Sequence, residues 1–276
     1  MPYKESERVA QAAYDSQDAG AFYSQIWGGD DIHLGMYASP DEPIAEASHR
    51  TMQHMIDKIT QGSVDYVVDL GSGYCGAARF LHRELDADVL AVNLSGEQNV
   101  RARQLNQRDG LDEPITVVDA SYNEVPAEDA VADLVWSQDA FLHAIDRKQP
   151  LAEAARVLKP GGEFLFTDPM AADGVNPAEL SGVLARLNLS SLASPGDYKQ
   201  LAAEVGFEVV EFEDLNEYLP LHYGRVLEET QANAEELLKT ASQQYLDGMM
   251  KGLQHWVDAG NRGLLSWGIF HLRKQG

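Results

Sequence analysis

The stretch Val67-Val68-Asp69-Leu70-Gly71-Ser72-Gly73-Tyr74-Cys75-Gly76 ends an apolar strand, turns on glycines and opens a helix. Glycine tolerates the left-handed backbone of a tight turn and lets the main chain approach a ligand without a Cβ in the way. Gly71, Gly73 and Gly76 satisfy the G-x-G-x-x-G spacing, which taken alone admits an NAD-dependent oxidoreductase. Outward from this motif, strands and helices alternate. Apolar runs predict strands at 66–70, 89–94, 115–118, 134–137 and 163–168, and helical spacing fills 77–85, 97–108, 141–147 and 149–158. The alternation predicts an α/β Rossmann-like fold, a parallel sheet covered by helices on both faces.

The flanks read differently. Residues 1–60 are helical in pattern at 5–14, 19–26 and 44–59. Between the second and third lies Trp27-Gly28-Gly29-Asp30-Asp31-Ile32-His33-Leu34-Gly35, a loop whose Gly28-Gly29 pair allows a hinge. After Asp168 come a Pro/Gly-rich helical insert at 170–198, a helix at 197–205 and a sixth strand at 207–212. Residues 213–262 are helix-rich, most clearly over 226–250, and 265–272 reads as a last strand. The chain therefore divides into an N-terminal helical lid segment, 1–60, and a domain, 61–276, with inserts at about 170–200 and 213–262. Excursions of this kind roof a site at the strand ends.

Composition narrows the function classes. Forty-four acids against 21 bases give a net charge of -23, the opposite of the basic footprint that nucleic acid requires. The acids are spread along the chain, and lysine is scarce, which predicts a surface adapted to high salt. No apolar run reaches the ~18 residues of a membrane span and no signal peptide opens the chain. With Cys75 as the only cysteine, no internal disulfide can form, and a cytoplasmic location is expected. The histidines show no H-x-x-x-H pair and no metal is expected.

Three features move the glycine motif away from NAD. Asp69 precedes the glycines, where a carboxylate suits the cationic methionine end of S-adenosylmethionine (SAM) and would repel a pyrophosphate. Val157-Leu158-Lys159-Pro160-Gly161-Gly162 closes a helix before the fifth strand, and Val118-Asp119-Ala120-Ser121 ends the third. Over 64–170 the sequence resembles the class I SAM-dependent methyltransferases. The resemblance implies a seven-stranded, mostly parallel sheet with the last strand antiparallel. It also implies SAM as cofactor, S-adenosylhomocysteine as product, and Asp119 at the adenine. Asp69, Gly71, Gly73, Ala120, Ser121 and Gln138 would line the cofactor, joined by Tyr14, Trp27 and His33 from the N-terminal segment. One position departs: Asn93 stands where an acid usually meets the ribose hydroxyls. An Asn can still bond a hydroxyl, and its neutrality weakens the NAD reading.

The substrate side narrows further. Phe22-Tyr23-Ser24-Gln25-Ile26-Trp27-Gly28-Gly29, Gln138-Asp139-Ala140-Phe141-Leu142-His143, Asp168-Pro169-Met170 and Leu221-His222-Tyr223-Gly224-Arg225 resemble the sarcosine/dimethylglycine N-methyltransferases of glycine-betaine synthesis. Glycine/sarcosine and phosphoethanolamine methyltransferases are the alternatives. A small amine is the implied partner; whether the protein is a monomer or a dimer stays open.

Such a substrate needs a neutral nitrogen aligned with the methyl group, a grip on its carboxylate and a lining for the developing cation. Tyr14, Tyr23, Trp27 and Trp136 are the aromatic candidates, with Tyr223 in the roof; core packing is the plainer role of any aromatic. His143 is the candidate base, with an ordinary pKa near ~6.5, and the phosphoethanolamine enzymes imply that it pairs with Tyr14. Arg186 and Arg225 are the candidates for the carboxylate, because a guanidinium binds it in bidentate fashion. Pro169 and Met170 would shape the pocket by volume.

Overall fold

The computed structural model describes residues 8, 11, 14–27 and 29–276. Most of the helix expected at 5–14, and Gly28 of the hinge, lie outside the described residues. Strand β1 (Tyr66–Leu70) pairs in parallel with β2 (Asp88–Asn93) on one side and β4 (Ala132–Gln138) on the other. Beyond β2 lies β3 (Ile115–Asp119), and beyond β4 lies β5 (Leu158–Thr167), both parallel. The last strand, β9 (Gly268–Lys274), inserts antiparallel between β5 and β7 (Phe207–Asp214). The order β3-β2-β1-β4-β5-β9-β7 completes the expected seven-stranded sheet. The chain steps outward in one direction from β1 and in the other from β4, so the crevice of an open α/β sheet falls between their carboxyl ends.

The strands are buried on both faces, which explains their unbroken apolar runs. Successive residues go to opposite cores. Val67, Trp136, Leu165 and Ile269 belong to one cluster; Val68, Val135, Phe166 and Phe270 belong to the other. Helices α3 (Gly76–Leu85), α4 (Gly96–Arg108) and α5 (Lys148–Val157) follow β1, β2 and β4. The first cluster extends into the flanking helices α1 (Gln17–Ile26) and α2 (Ile44–Ile56), and into the roof. The roof is α6 (Ser181–Arg186), α8 (Tyr218–Ala232), the short α9 (Ala234–Leu237) and α10 (Gln243–Asn261), while α7 (Pro195–Glu204) precedes β7.

Side chains override the local pattern in three places. The helix expected at 141–147 is a single 3-10 turn, Phe141–His143, because Asp168 Oδ1 accepts from Leu142 N–H and Arg147 bonds Leu142 O. The clear helical stretch 226–250 breaks into three, and Ser242 caps α10 through a bond from Tyr245 N–H while its own hydroxyl donates to Asp18 of α1 at 2.6 Å. The strand expected at 265–272 divides at Trp267. Leu265–Ser266 pairs with Met170–Ala171, and Asn216 Oδ1 takes the Trp267 N–H before β9 begins.

Candidate active site

The β1–α3 turn builds the floor. Gly71 N–H and Ser72 N–H both donate to Val92 O, at 2.8 and 3.2 Å, and pull the turn across the end of β2. Gly71 has φ +82, and a Cβ there would lie 2.4 Å from the Ala140 Cβ. At Gly76 a Cβ would fall 1.9 Å from Asp31 Oδ1, so this glycine lets the N-terminal loop lie on the helix. A cleft opens above the turn. Gly71, Gly73, Asn93, Gln138, Tyr14 and His143 line its central part. Asp69, Asp31 and His33 line its continuation on one side, and Ala120 and Ser121 on the other.

The end of the cleft at Asp69 is rich in unanswered acceptors. Asp69 is 2% exposed and its Oδ2 has no hydrogen-bond partner, as is true of Asp31 Oδ1. Burial pushes the Asp69 carboxyl up to about 7, against the pull of His33 and with the push of Asp31. His33 bonds Leu34 O through Nδ1 at 3.2 Å, and its Nε2 lies 3.8 Å from Asp31 Oδ1, beyond hydrogen-bond reach. Burial alone would lower the His33 pKa, but Asp31 and Asp139 hold it above the ordinary value. A cationic group is the partner that such a pair of carboxylates lacks. Beside them Trp136 Nε1–H donates to Gln138 Oε1 at 3.0 Å and leaves the buried Gln138 Nε2 without a partner. Asn93 lines the cleft and spends its amide hydrogens on Gln98 (3.1 Å) and Asn99 (3.0 Å), which leaves its Oδ1 as the acceptor it can offer a ligand.

Two of the residues expected at the cofactor are engaged elsewhere in this structure. Asp119 turns toward α4: its two oxygens accept from Asn99 and Arg103, each at 2.7 Å, leaving the lining of this strand end to Ala120 and Ser121. Those bonds outweigh its partial burial and keep its pKa below the ordinary value. Trp27 stands away from the cleft, among aromatic rings on the other side of Tyr14.

Those rings form a box. The Tyr14 hydroxyl is 2.9 Å from His143 Nε2, with the rings edge to face. From Tyr14 the contacts run to Tyr23 (5.5 Å between centroids), to Trp27 (5.3 Å), to Tyr223 (6.2 Å) and to Trp256 (4.9 Å). The guanidinium of Arg186 lies 5.7, 5.2 and 5.9 Å from the Trp27, Tyr223 and Trp256 ring centres. Its stem crosses α10 at Gly252, where a Cβ would be 2.7 Å from Arg186 Cγ. Among the described residues no carboxylate lies within ion-pair distance of Arg186, and its charge acts on the surrounding groups. Burial first, then Arg186 and Arg147, push His143 down to about 4. His143 is therefore neutral at pH 7 and a much weaker base than its ordinary pKa implied. Burial holds the Tyr14 phenol well above its usual range.

The remaining substrate-side candidates have other partners in this structure. Arg225 is held by Glu228 (2.6 Å) and Glu229 (3.1 Å) on its own helix, so two carboxylates already answer its charge. Met170 is fully buried in the core cluster of Phe166 and Tyr198, on the face of the sheet away from the box, and Pro169 is buried beside it. Trp136, in a strand interior, serves the cleft through Gln138. Two box residues went unassigned in sequence. Trp256 sits on the apolar stripe of α10 and looks like core. His222 falls on the buried stripe of α8 with Leu219, Tyr223 and Val226, whereas Arg225 falls off it; that periodicity is the signal that separates the two.

The sheet, the glycine turn and the cleft at the strand ends define a Rossmann-like, SAM-dependent class I methyltransferase. Residues 68–166 match the methyltransferase domain family. Within that class the chain belongs to the sarcosine/dimethylglycine N-methyltransferases. It is 48% identical to the sarcosine/dimethylglycine N-methyltransferase of Halorhodospira halochloris, over 96% of each chain. It is 52% identical to the dimethylglycine N-methyltransferase of Parasynechococcus marenigrum (strain WH8102), over 98% of this chain and 97% of that one. The crystal structure of the candidate sarcosine dimethylglycine methyltransferase of Galdieria sulphuraria superposes with a TM-score of 0.89 at 38% identity, covering 95% of this chain and 98% of that one. Among the described residues, no helix is long and apolar enough to cross a membrane.

Proposed function

We propose that the protein transfers methyl groups from SAM to the nitrogen of sarcosine and dimethylglycine, ending in glycine betaine. The observation that carries this reading is Arg186, a guanidinium inside an aromatic box with no carboxylate of its own. An amino acid supplies what it lacks, and the same rings favour the quaternary cation that dimethylglycine becomes. A phosphate-bearing amine is the poorer fit, since the second arginine of the roof is spent on Glu228 and Glu229.

SAM supplies the electrophilic methyl. Asp69 and Asp31 would hold the cationic methionine end, Asn93 would offer its amide oxygen to the ribose, and Gln138 Nε2 would donate to the cofactor. Gly71, Gly73, Ala120, Ser121, Tyr14 and His33 complete the lining. The cofactor would supply its methyl carbon to the nitrogen lone pair, with the sulfur–carbon bond breaking and S-adenosylhomocysteine as leaving group, so the residues of this chain have to bring the nitrogen into line. The nitrogen must arrive deprotonated. A histidine held near 4 cannot keep that proton, so His143 acts on Tyr14 instead. With its proton on Nδ1, His143 accepts the Tyr14 hydroxyl through Nε2, 2.9 Å away, and would hold the phenol oxygen for the charge forming at nitrogen. The substrate carboxylate, by neutralising Arg186, removes one cause of the low His143 pKa. The N-terminal segment 1–60 serves as the lid over this site, and the acidic surface belongs to a cytoplasm of high salt, where glycine betaine is useful as a compatible solute.

The test is a methyl-transfer assay with glycine, sarcosine, dimethylglycine and phosphoethanolamine in parallel. Betaine formed from dimethylglycine with glycine inert is the expected result; turnover of phosphoethanolamine alone overturns the substrate reading.

A further inference from the structure

Two buried N–H groups face the same rings as Arg186 with nothing to donate to: His222 Nε2 and Trp27 Nε1. His222 is fully buried in α8. Its ring centre is 5.4 Å from that of Trp27 and 5.9 Å from that of Tyr223, the two rings that flank the guanidinium. Its tautomer is fixed by a neighbour that has no choice. The Gly35 backbone N–H donates to His222 Nδ1 at 3.1 Å, so Nδ1 carries a lone pair and the proton of the neutral ring sits on Nε2. The Tyr37 hydroxyl, 3.1 Å from the same Nδ1, donates to it as well. Burial, with His33 and Arg186 nearby, drives the ring's pKa down to about 3, so it is this neutral tautomer that is present at working pH.

We propose that His222 Nε2–H is a second donor to the substrate carboxylate, completing with Trp27 Nε1–H the grip that Arg186 begins. The inference rests on the reading of Arg186 as the carboxylate anchor. A carboxylate offers about four lone-pair sites, and a guanidinium fork occupies two of them. Buried polar groups in folded proteins have partners, and an orphan donor beside an orphan cation points to one shared acceptor that arrives with the ligand. A preset tautomer also gives selectivity. An amine ending in a hydroxyl can answer one such donor, and an amine with an apolar end answers none. Gly35 and Tyr37 thereby become positioning groups, acting on the substrate through the imidazole.

Two substitutions separate this role from a structural one. His222→Asn keeps an acceptor near Nδ1 for the Gly35 N–H and loses the distal donor; His222→Gln places an amide nitrogen near Nε2 and loses the acceptor. The expected result is a KM for dimethylglycine raised about tenfold in His222→Asn, with the KM for SAM within twofold, and a smaller rise in His222→Gln. A structural role gives the reverse order, and that order, or a KM for His222→Asn within twofold of the wild type, overturns the proposal. Arg186→Met is measured beside them. If it raises the KM and His222→Asn does not, only the His222 donor falls. If neither changes it, the anchor reading falls too. A second measurement needs no substitution. In the wild-type enzyme labelled with 15N-histidine and saturated with S-adenosylhomocysteine, the Nε2 proton resonance of His222 should move downfield as dimethylglycine is added. A resonance that stays in place at saturation overturns the proposal.

Discussion

The site has two halves of opposite character, the cleft beside Asp69 and the aromatic box around Arg186. The half beside Asp69 holds two carboxylate oxygens without donors, with Gln138 Nε2 and His33 Nε2 also unpartnered beside them; the half beside Arg186 holds Trp27 Nε1 and His222 Nε2 without acceptors. Both are buried, and each destabilises the empty protein, because an unmatched polar group in a poorly hydrated site keeps its desolvation cost. The ligands of a methyltransferase acting on an amino acid match the pattern. On the proposed reading SAM would bring cations to the acidic half and the substrate an anion to the basic half, so that each ligand answers groups the other leaves unmatched.

The sharpest break in this comparison comes from the floor that both halves share. Gly71→Ala places a methyl 2.4 Å from Ala140 Cβ on a backbone at φ +82. Either the turn or β4's carboxyl end must move, and the cleft with it. Activity should fall by at least about a thousandfold, and calorimetry should find SAM binding lost while far-UV circular dichroism is retained.

Next in size is the basic half alone. Arg186→Met removes the guanidinium but keeps a long apolar side chain over Gly252. The KM for dimethylglycine should rise about a hundredfold with SAM affinity within twofold, as befits loss of a buried, charge-assisted contact. The same substitution removes a cause of the low His143 pKa, so the histidine resonance should titrate at a higher pH than in the wild type. An unchanged KM would mean that the box binds something other than a carboxylate.

How far these halves could be read in advance differs for a physical reason. The acidic half is built largely from the chain between Asp30 and Asn93. Its glycines, Asp69 and Asn93 announce themselves because a tight turn and a strand end constrain residue type locally. The basic half is assembled from α1, α6, α8 and α10, whose contacts span the length of the molecule. No local rule places Arg186 over Trp256. The choice between Arg186 and Arg225 was legible only in part. Arg225 lies off the buried stripe of α8, and Glu228 and Glu229 stand three and four residues on, the spacing of helical ion pairs. Asp119 is a related case: a carboxylate at a strand end can meet a ligand or a neighbouring helix, and here Asn99 and Arg103 on α4 bond it. Nor could composition reveal the His143 pKa, which depends on burial, on Arg186 from a distant segment and on Arg147 four residues along.

The acidic half gives the third prediction, with opposite signs for binding and stability. Asp69 has a folded pKa of about 7, raised from an unfolded value near ~3.9, so the folded protein binds the proton more tightly. Its cost to folding is absent below the unfolded pKa, grows as pH rises through the window to 7 and is fully present above it. Asp69→Asn should therefore raise the melting temperature of the free protein at pH 8 by several degrees, roughly 4 °C or more. It should also weaken SAM binding about 10- to 100-fold. In the wild type, SAM affinity should fall as pH drops below 7, with close to one proton released per SAM bound at pH 6. A variant that binds SAM normally, or a calorimetric signal independent of buffer ionisation, would separate Asp69 from the cofactor.

Salt sharpens the comparison with the smallest effect. With 44 acids and 21 bases, the surface repels itself, and ions at molar concentration shorten the screening length to about 3 Å. The melting temperature should rise by a few degrees between 0.1 and 1 M KCl. Exposed pairs such as Arg262–Glu179 contribute little at any ionic strength, so their screening should not reverse the gain. The contact between Arg186 and a carboxylate is different in kind. It lies among buried rings, where mobile ions do not enter, and the KM for dimethylglycine should change less than about threefold over the same range. A KM that climbs steeply with salt while the melting temperature rises would place the substrate anion on the exposed surface and return the choice of anchor to the solvent-facing arginines.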